Sequence, residues 1–433
     1  MLRILVIGTG YVGLVSGTCF AEIGHHVTCI DKDKVKIDGL ISGAKVPIYE
    51  KGLNELIENN KKNGRLHFDT DISKHLNHSD VVIIAVGTPL DDKGQTNFEY
   101  IDQCVSEIIQ YAQKGLYVII KSTVPVGTCD RIQMQFNIES NVALEVISNP
   151  EFLREGEAVN DFLFPDRVII GVNIQDNHII NKLYKKLEQN GVEIVYTNRL
   201  TAELIKYASN SFLAAKVAFI NEIADLSEEL GADIAGIAHG VGLDRRIGRA
   251  FLNAGPGFGG SCFPKDIKAL INISESRNLN LPLLKSIDLS NQIRYQNIAR
   301  KIETKLESGA TIAVLGLTYK AGTDDTRCSP SIKIIQILSE KGFKIKGHDP
   351  QGINKAKQDL GNNIIFCHDL YEAAKDADLC LVMTEWSEYR DLDSLKLAAC
   401  MRKKNIYDLR QVINKDDFIK SGFKVMVVGY QSE

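Results

Sequence analysis

The residue best suited to covalent chemistry is Cys262, in the segment GFGGSCFPKD at residues 257–266. Glycines at positions 255, 257, 259 and 260 around Pro256 predict a loop whose backbone approaches a ligand closely and whose thiol is exposed. A cysteine is more often a small core residue, but core cysteines lie in periodic apolar runs, and this one does not. Neighbouring Lys265 and Asp266 would favour the thiolate and order or activate water. Because a thiolate can trap an aldehyde, the segment indicates an oxidation that continues to the acid level.

A dinucleotide-binding turn lies at the start of the chain. Gly8, Gly10 and Gly13 follow an apolar run and open helix-like sequence. The first glycine permits the tight turn, the second admits a pyrophosphate, and the third lets helix and strand approach. Asp31 ends the second strand, where a carboxylate binds ribose hydroxyls and disfavours a 2'-phosphate, so we predict NAD rather than NADP. Lys36 either contacts the adenosine end or is an ordinary solvated lysine.

Polar residues follow later strands at the same edge of the predicted sheet. Thr88 and Thr123 lie in turns there, and their hydroxyls either reach the ligand or only satisfy the local backbone. The Asn-Pro pair at 149–150 predicts a helix start, which would place Glu151 and Glu155 on one face. Glu151 then either serves as a base or water-orienting group, or merely favours the helix dipole.

A long amphipathic helix is predicted over residues 201–230, which contain neither glycine nor proline. Apolar residues recur at positions 204, 208, 212, 215, 219, 223 and 226, and Gly231 ends the helix. Lys206 and Asn210 lie one turn apart on this helix. Lys206 is either an ordinary surface lysine or a cation that stabilises a developing alkoxide, with Asn210 donating to the same centre.

Strand-like runs at 4–7, 27–30, 81–86, 117–121 and 142–148 alternate with helix-like sequence, which predicts a parallel sheet. The pattern restarts at 311–317 and continues through 343–347, 364–367, 379–384 and 405–407. We therefore predict an α/β protein with two Rossmann-like, doubly wound parallel-sheet domains joined by a helical central domain that carries the long helix. The predicted domains are residues 1–195, 196–308 and 309–433.

The last domain lacks a complete glycine fingerprint at residues 316–320, so a second NAD site is not supported. Lys320, Arg327 and Arg410 could instead hold the phosphates of a nucleotide. Each of these cations alone would be an ordinary surface charge.

Composition limits the remaining function classes. The 433 residues are 44% hydrophobic with a net charge of -4, which favours binding to neither nucleic acid nor an anionic membrane. No run has membrane-spanning length, and the apolar start leads straight into the glycine turn rather than a signal peptide. Nine scattered cysteines without a Cys-x-x-Cys pair argue against a disulfide framework or a zinc site. We predict a cytoplasmic protein without a metal.

These motifs resemble those of the UDP-glucose/GDP-mannose dehydrogenases. The resemblance covers nearly the whole chain and rests on the glycine turn at 8–13, STVPVGT at 122–128, NPEFLREG at 149–156, the Lys206/Asn210 helix, the cysteine segment, and LTYK with DDTR at 317–327. It implies a two-step, four-electron oxidation of the sugar C6 hydroxyl to a carboxylate, using two NAD per substrate, with UDP-glucose as the expected substrate. The carboxylate product would feed the synthesis of a surface polysaccharide.

The resemblance also implies residue roles. Cys262 would attack the intermediate aldehyde, and further catalytic roles would fall to Lys206, Asn210, Asp266, Glu151 and Thr123. The nucleotide sugar would be held by Glu151, Phe152, Leu153, Arg154, Glu155, Lys206, Asn210, Phe251, Leu252, Asn253, Ala254, Gly255, Gly259 and Lys320. NAD would be held by Gly8, Gly10, Val12, Gly13, Asp31, Lys36, Thr88, Thr123, Glu155, Lys265 and Arg327. The long helix would form the interface of a homodimer or a larger homo-oligomer, with Arg246 reaching a neighbour's site.

Three alternatives stay open. A sister enzyme acting on GDP-mannose or UDP-N-acetylmannosamine would use the same chemistry. A non-catalytic NAD sensor would keep Cys262 for packing or redox sensing. An ordinary two-electron hydroxyacid dehydrogenase would not need the cysteine.

Overall fold

The computed structural model describes residues 1–43, 46–89, 91, 96–172 and 178–431. These form two compact units, Met1–Ser209 with Glu275–Arg277, and Asn210–Ser274 with the described residues from Asn278 onward. The boundary falls within one long helix. Among the described residues, no helix combines the length and the apolar character needed to cross a membrane.

The first unit is built on an eight-stranded sheet. Its strands are β1 (Arg3–Ile7), β2 (His26–Ile30), β3 (Leu66–Asp69), β4 (Val81–Ile84), β5 (Leu116–Ile120), β6 (Leu144–Ser148), β7 (Arg167–Gly171) and β8 (Glu193–Thr197). The order is β3-β2-β1-β4-β5-β6-β7-β8, and neighbours run parallel except β6 and β7. The chain order reverses between β1 and β4, so the crevice at their carboxyl ends is where a parallel sheet of this kind binds ligands.

Helices cover the faces of this sheet and bury its Val- and Ile-rich strands. They are α1 (Tyr11–Glu22), α2 (Lys34–Ser42), α3 (Leu53–Lys62), α4 (Glu99–Tyr111), α5 (Thr128–Glu139), α6 (Ala158–Leu163) and α7 (His178–Gln189). Two short 3₁₀ turns lie at Ile72–Lys74 and Leu76–His78.

The predicted long helix is α8 (Arg199–Leu230), and the left-handed conformation of Gly231 follows its end. Three helices follow in the second unit: α9 (Ile234–Leu243), α10 (Phe263–Glu275) and α11 (Pro282–Glu303). Pro282 starts α11 at a position where its missing N–H costs no helical bond.

The second unit also contains a six-stranded sheet in the order β11-β10-β9-β12-β13-β14, with all neighbours parallel. The strands are β9 (Thr311–Leu315), β10 (Lys344–His348), β11 (Ile365–Phe366), β12 (Leu379–Val382), β13 (Asn405–Asp408) and β14 (Lys424–Val427). The helices are α12 (Pro330–Glu340), α13 (Ile353–Leu360), α14 (Leu370–Ala374), α15 (Ser387–Arg390), α16 (Ser394–Cys400) and α17 (Lys415–Lys420). The predicted α/β architecture, with a parallel sheet near each end of the chain and helices between them, is confirmed.

Candidate functional site

The first glycine turn of the chain is shaped as a cradle. Gly8 has a φ of +99° and donates its N–H to the Ile30 carbonyl at 2.7 Å. A Cβ added to Gly13 would lie 1.9 Å from the Gly8 oxygen, whereas one added to Gly10 would meet no described atom within 4 Å. Gly10 precedes α1 without a side-chain cap, so the helix N-terminus is open to an anion. These residues fit a dinucleotide, as the sequence predicted.

Asp31 stands beside this turn at the end of β2. Its Oδ2 accepts from the Thr9 N–H at 2.9 Å and from the Thr9 hydroxyl at 2.8 Å, and it pairs with the Lys36 ammonium at 2.9 Å. Burial opposes the charged form, but the N–H groups of Asp33 and Thr9 and the ammonium outweigh it and hold the Asp31 pKa below its ordinary value. Lys36 is therefore an ion-pair partner rather than a simply solvated lysine. The role of Thr9 was not predicted.

Two predicted hydroxyl residues meet at the ends of neighbouring strands. The Thr88 hydroxyl donates to the Thr123 carbonyl at 2.9 Å, and Ser122 donates to the Val86 carbonyl at 2.7 Å. The Thr88 hydroxyl therefore binds the backbone of the neighbouring turn, and Thr123 is half-buried beside it. Val12 is half-buried in the first turn of α1.

The prediction of a helix that begins at Pro150 is wrong. The chain is irregular from Asn149 to Glu157, and α6 begins only at Ala158. Glu151 accepts from the Leu153 N–H at 2.6 Å, a local turn that replaces helical bonding. The distant Glu50 carboxylate accepts from the N–H groups of Gly156 and Ala158, at 2.8 and 2.9 Å, and so caps α6.

Asn149 does not cap a helix because its side chain is occupied in the interior. Its amide donates to the Ile169 carbonyl at 2.9 Å and its oxygen accepts from the Lys121 ammonium at 3.1 Å. The Tyr184 hydroxyl donates to the same oxygen. Burial lowers the pKa of Lys121 to about 8. The burial of Lys121 was not predicted, because a lysine after a strand carries no sequence signal of burial.

Glu151 and Lys206 form a buried ion pair. The Lys206 ammonium lies 3.1 Å from Oε1 of Glu151, and the two side chains are 4% and 6% exposed. The ammonium also lies 5.2 Å from the centre of the Phe152 ring. Lys206 is thus not an ordinary surface lysine. The Leu153 N–H donates to the other carboxylate oxygen of Glu151, so both oxygens of Glu151 are bound.

Other predicted binding residues of this segment differ in exposure. Glu155 is buried, whereas Arg154 is largely exposed and pairs with Asp161 at 2.6 Å. The Arg167 guanidinium lies 3.8 Å from the centre of the Phe152 ring. Arg154 is therefore held by Asp161, whereas Glu155 is buried.

In the second unit, Cys262 immediately precedes α10. Its thiol is half-buried rather than exposed as predicted, because it starts a helix that packs into the core. The Asp266 N–H donates to the Cys262 carbonyl at 2.9 Å, so the two residues are one helical turn apart. The Asp266 carboxylate is fully buried, accepts from Nδ2 of Asn210 at 2.6 Å and pairs with the Lys265 ammonium at 2.9 Å. The structure thus brings Asn210, Lys265 and Asp266 together next to the start of α10.

The glycines of the cysteine segment are packed by the protein itself. A Cβ on Gly257 would lie 2.7 Å from Asn291 Oδ1, and one on Gly259 would lie 2.3 Å from the Cys328 carbonyl oxygen. A Cβ on Gly260 would lie 2.9 Å from the Tyr319 ring. The prediction was a close approach to a ligand, whereas the atoms that approach these three glycines belong to the same chain.

The predicted sugar-binding stretch precedes this loop. Phe251 has a φ of +64°, an uncommon conformation for a bulky residue, and its ring packs 6.0 Å from that of Phe263. The chain then alternates, with Leu252, Ala254 and Gly255 buried and Asn253 exposed. Arg246 is strongly exposed and pairs with Asp244 at 2.6 Å.

Three cations predicted to bind the nucleotide phosphates lie in loops that follow strands of the second sheet, and their environments differ. Arg327 is mostly exposed and forms a fork with Asp325, at 2.8 Å from Nε and 2.7 Å from Nη2. Arg410 donates to the carbonyls of Met383 and Tyr319, at 2.9 and 3.1 Å, and so serves the fold at least in part. The Lys320 ammonium lies 5.7 Å from the centre of the Tyr319 ring. Within the described ranges, no cluster of three acidic, His or Cys residues could hold a metal.

Family models match the chain in three consecutive segments. They describe the NAD binding domain of the UDP-glucose/GDP-mannose dehydrogenase family at residues 2–188, its central domain at 200–293, and its UDP binding domain at 313–415. The chain is 45% identical to a UDP-glucose 6-dehydrogenase of Rickettsia prowazekii (strain Madrid E), over 99% of this chain and 100% of that protein.

Solved structures show the same similarity. A UDP-glucose dehydrogenase from Pyrobaculum islandicum is 33% identical, with a TM-score of 0.92 over 100% of this chain and 98% of that one. A UDP-D-ManNAc dehydrogenase from Pyrococcus horikoshii is 27% identical, with a TM-score of 0.85 over 99% of each chain. The full-length matches, the NAD-binding cradle and the sheet topology agree, and the chain belongs to the UDP-glucose/GDP-mannose dehydrogenase family of NAD-dependent oxidoreductases.

Proposed function

We propose that this protein oxidises UDP-glucose to UDP-glucuronate with NAD. The observation that carries the proposal is the full-length identity of 45% to a UDP-glucose 6-dehydrogenase, together with a cysteine at the start of α10 beside a buried Asp-Asn pair. GDP-mannose and UDP-N-acetylmannosamine are the competing substrates, and the lower identity of the UDP-D-ManNAc dehydrogenase favours UDP-glucose over the latter.

NAD would be held by the turn at residues 8–13, with its pyrophosphate facing the uncapped start of α1 and its ribose hydroxyls at Asp31. When bound, it supplies the hydride acceptor for both oxidations. Further cofactor contacts are assigned to Val12, Lys36, Thr88, Thr123, Glu155, Lys265 and Arg327. The nucleotide sugar is assigned to residues 151–155 and 251–255 with Lys206, Asn210, Gly259 and Lys320.

In the first oxidation, the C6 hydroxymethyl group gives up its O–H proton and a C6 hydride, which NAD would accept, and becomes an aldehyde. Lys206 is a desolvated cation, so its charge stabilises a developing alkoxide more strongly than a solvated lysine would. Glu151, which lies 3.1 Å from that ammonium, is assigned as the base that takes up the proton. Thr123 is assigned a position close to the same centre.

In the second oxidation, the Cys262 thiolate adds to the aldehyde carbon and forms a thiohemiacetal. Loss of a second hydride gives a thioester, and water then attacks the acyl carbon and releases the thiolate and the carboxylate. Asp266 is assigned to activate that water, and its partner Asn210 to stabilise the oxyanions. Two NAD are reduced for each sugar consumed.

The end-point yield of NADH on a limiting amount of UDP-glucose tests this scheme. We expect a ratio of two, and a ratio of one would exclude the covalent second step. Cys262→Ser should lose turnover while it still binds NAD, and Cys328→Ser, at an exposed cysteine of the same unit, is the matched control. An NAD sensor would show no turnover in the unmodified protein, whereas a two-electron dehydrogenase would give the same product with and without Cys262. Relative rates on UDP-glucose, GDP-mannose and UDP-N-acetylmannosamine decide the substrate.

A homodimer through α8 is part of the proposal. Phe212, Phe219 and Leu226 recur every seventh residue on this helix and are 68%, 52% and 53% exposed. They form an apolar stripe that is open to solvent in the single chain. A second copy of the same stripe would cover it, and Arg246 would then reach the neighbour's site. Phe219→Glu should convert the dimer into a monomer in sedimentation, whereas Glu229→Lys on the same helix should not. The cytoplasmic location stays a prediction from the cysteine pattern.

A further inference from the structure

The loop that leads to Cys262 lies in the interior without being part of a helix or strand. Residues 254–260 are all buried, and the thiol follows Gly260 by two residues. Buried N–H and C=O groups must find partners, and here side chains from two helices supply several of them. Two peptide positions of the loop, Gly255 and Phe258, are each bound on both their N–H and their C=O.

Asn291 of α11 binds both polar groups of Phe258. Its Oδ1 accepts from the Phe258 N–H at 2.9 Å and its Nδ2 donates to the Phe258 carbonyl at 2.9 Å. The Tyr295 hydroxyl donates to the same carbonyl at 3.0 Å and accepts from Nδ2 of Asn291 at 2.6 Å. Asn291 is 5% exposed, so these bonds are shielded from water. A Cβ on Gly257 would lie 2.7 Å from Oδ1 of Asn291, so Asn291 leaves no room for a side chain at this position.

Gly255 is bound in the same way by a different pair. Its N–H donates to Oδ1 of Asn221 on α8 at 2.8 Å, and its carbonyl accepts from Nε of Arg294 on α11 at 3.1 Å. Arg294 is held in turn by Asp225, whose carboxylate lies 2.5 Å from Nη1. Asn221 and Arg294 are each 3% exposed. Gly255 belongs to the 251–255 stretch assigned to the sugar, whereas Phe258 lies four residues before Cys262.

We propose that Asn291 and Asn221 are positioning residues of the proposed reaction, in which Asn291 sets the position of the Cys262 thiol and Asn221 sets that of the sugar-binding stretch. Neither residue touches the reacting atoms. The inference rests on the proposed function for its kinetic consequences, but the thiol can be examined without turnover. A mispositioned thiol slows capture of the aldehyde, whereas a displaced sugar-binding stretch weakens substrate binding.

Asn291→Leu removes both bonds to Phe258 at nearly constant volume. We expect kcat to fall at least about tenfold while KM for UDP-glucose stays within about threefold, and free aldehyde to become detectable by a carbonyl-trapping reagent. Asn291→Asp keeps the acceptor for the Phe258 N–H and should recover part of the lost kcat. Asn297→Leu, the same substitution on the same helix at a residue that accepts from the exposed Arg300, is the control and should leave both constants unchanged.

Asn221→Leu should give the opposite division, with KM raised at least about tenfold and kcat within about threefold. Asn221→Asp should recover part of the affinity, since it retains the acceptor for the Gly255 N–H. If both leucine variants change kcat and KM in the same proportion, Asn221 and Asn291 are structural residues and the proposal is overturned. Should a leucine variant fail to fold, the aspartate variants and Tyr295→Phe, which removes one donor to Phe258, decide the question by the same division.

Alkylation of Cys262 by iodoacetamide, followed by peptide mass spectrometry, separates this proposal from the proposed function. We expect the rate constant to change at least about fivefold in Asn291→Leu and to stay within about twofold in Asn297→Leu and Asn221→Leu. An unchanged rate in Asn291→Leu overturns the positioning role even if the unmodified protein oxidises UDP-glucose. A changed rate in a protein that does not oxidise UDP-glucose supports positioning and rejects the function.

Discussion

The two glycine-rich loops of the chain, at residues 8–13 and 255–260, use glycine for different reasons. In the first loop, a Cβ on Gly10 would enter open space, while Gly8 and Gly13 pack against backbone. In the second loop, Cβ atoms on Gly257, Gly259 and Gly260 would all collide with side chains or backbone of the same chain. Gly10 in the first loop therefore leaves space for a ligand, whereas the glycines of the second loop leave space for neighbouring atoms of the same chain.

The side chains that surround the two loops also differ in charge. Beside the first loop, Asp31 and Lys36 form an ion pair, and Lys121 is buried near a second one. The second loop is held mainly through the neutral side chains of Asn291, Tyr295 and Asn221, with Arg294 as a charged donor to the Gly255 carbonyl. Charged side chains therefore lie beside the turn that fits a charged cofactor. Most of the side chains that hold the cysteine loop are neutral and do not titrate near neutral pH.

Gly259→Ala should have the largest effect. Its Cβ would lie 2.3 Å from the Cys328 carbonyl oxygen and 2.8 Å from Cδ of Pro330, so backbone must move. We expect a loss of about 3 kcal/mol in the free energy of unfolding of the second unit, measured by urea denaturation. Gly240→Ala, in α9 with no described atom within 4 Å of its Cβ, is the control and should not destabilise. Equal stabilities of the two variants would contradict the packing role of Gly259.

Gly10→Ala should affect binding rather than stability. Its Cβ meets no described atom, so we expect the free energy of unfolding to change by less than about 0.5 kcal/mol. The methyl group would occupy the space where the pyrophosphate approaches, and NAD affinity should fall at least about tenfold in calorimetric titration. Gly13→Ala provides the contrast, because its Cβ would lie 1.9 Å from the Gly8 oxygen and should lower stability as well. Unchanged NAD affinity in Gly10→Ala would show that the open space is not the cofactor's.

Asp31→Asn should alter the choice of cofactor. The substitution keeps the shape of the side chain but removes the charge that Lys36 and two backbone N–H groups stabilise. NAD affinity should fall about tenfold, and the preference for NAD over NADP should shrink because repulsion of a 2'-phosphate is lost. Titrations with both cofactors measure this. An unchanged ratio would place the ribose elsewhere than beside Asp31.

Much of this arrangement was predictable because it depends on local sequence. The strands β1, β2, β4, β5 and β6, the long helix and its end at Gly231 follow from apolar periodicity and glycine placement. The strands β3, β7, β8 and β14 were not predicted. The helix expected at Pro150 does not form because Asn149, its predicted cap, is bonded to Lys121 after β5 and to Ile169 in β7. Tertiary contacts override local signals of this kind.

The residues that hold the site were harder to predict than those that form it. Cys262 and the glycines carry a motif, whereas Asn291, Arg294 and Asn221 lie in ordinary amphipathic helices. Their function depends on which loop passes the helix, and that loop is more than 30 residues away in sequence for each of them. No periodicity records such a contact. Sequence patterns therefore indicate the reacting residue more readily than the residues that position it.

Lys121→Met should have the smallest effect and the clearest dependence on pH. Because burial lowers the Lys121 pKa from 10.5 to about 8, the folded protein binds fewer protons than the unfolded chain between these values. Lys121 therefore destabilises the fold below about pH 8, and this penalty is relieved as the pH rises from about 8 towards its unfolded pKa of about 10.5. The variant removes the buried charge but also the bond to Asn149. We expect a net gain of about 1 kcal/mol at pH 7 that disappears by about pH 10.

Urea denaturation of Lys121→Met and of the unmodified protein from pH 6 to pH 10 measures the difference between their free energies of unfolding. Lys285→Met, at a lysine near the start of α11 in the second unit, is the control and should show no such dependence. The stability of Asn291→Leu relative to the unmodified protein should likewise be independent of pH, since the bonds it removes are made by neutral groups. If the pH dependence appeared in Asn291→Leu and not in Lys121→Met, the contrast between a charged crevice and a neutral loop would be reversed.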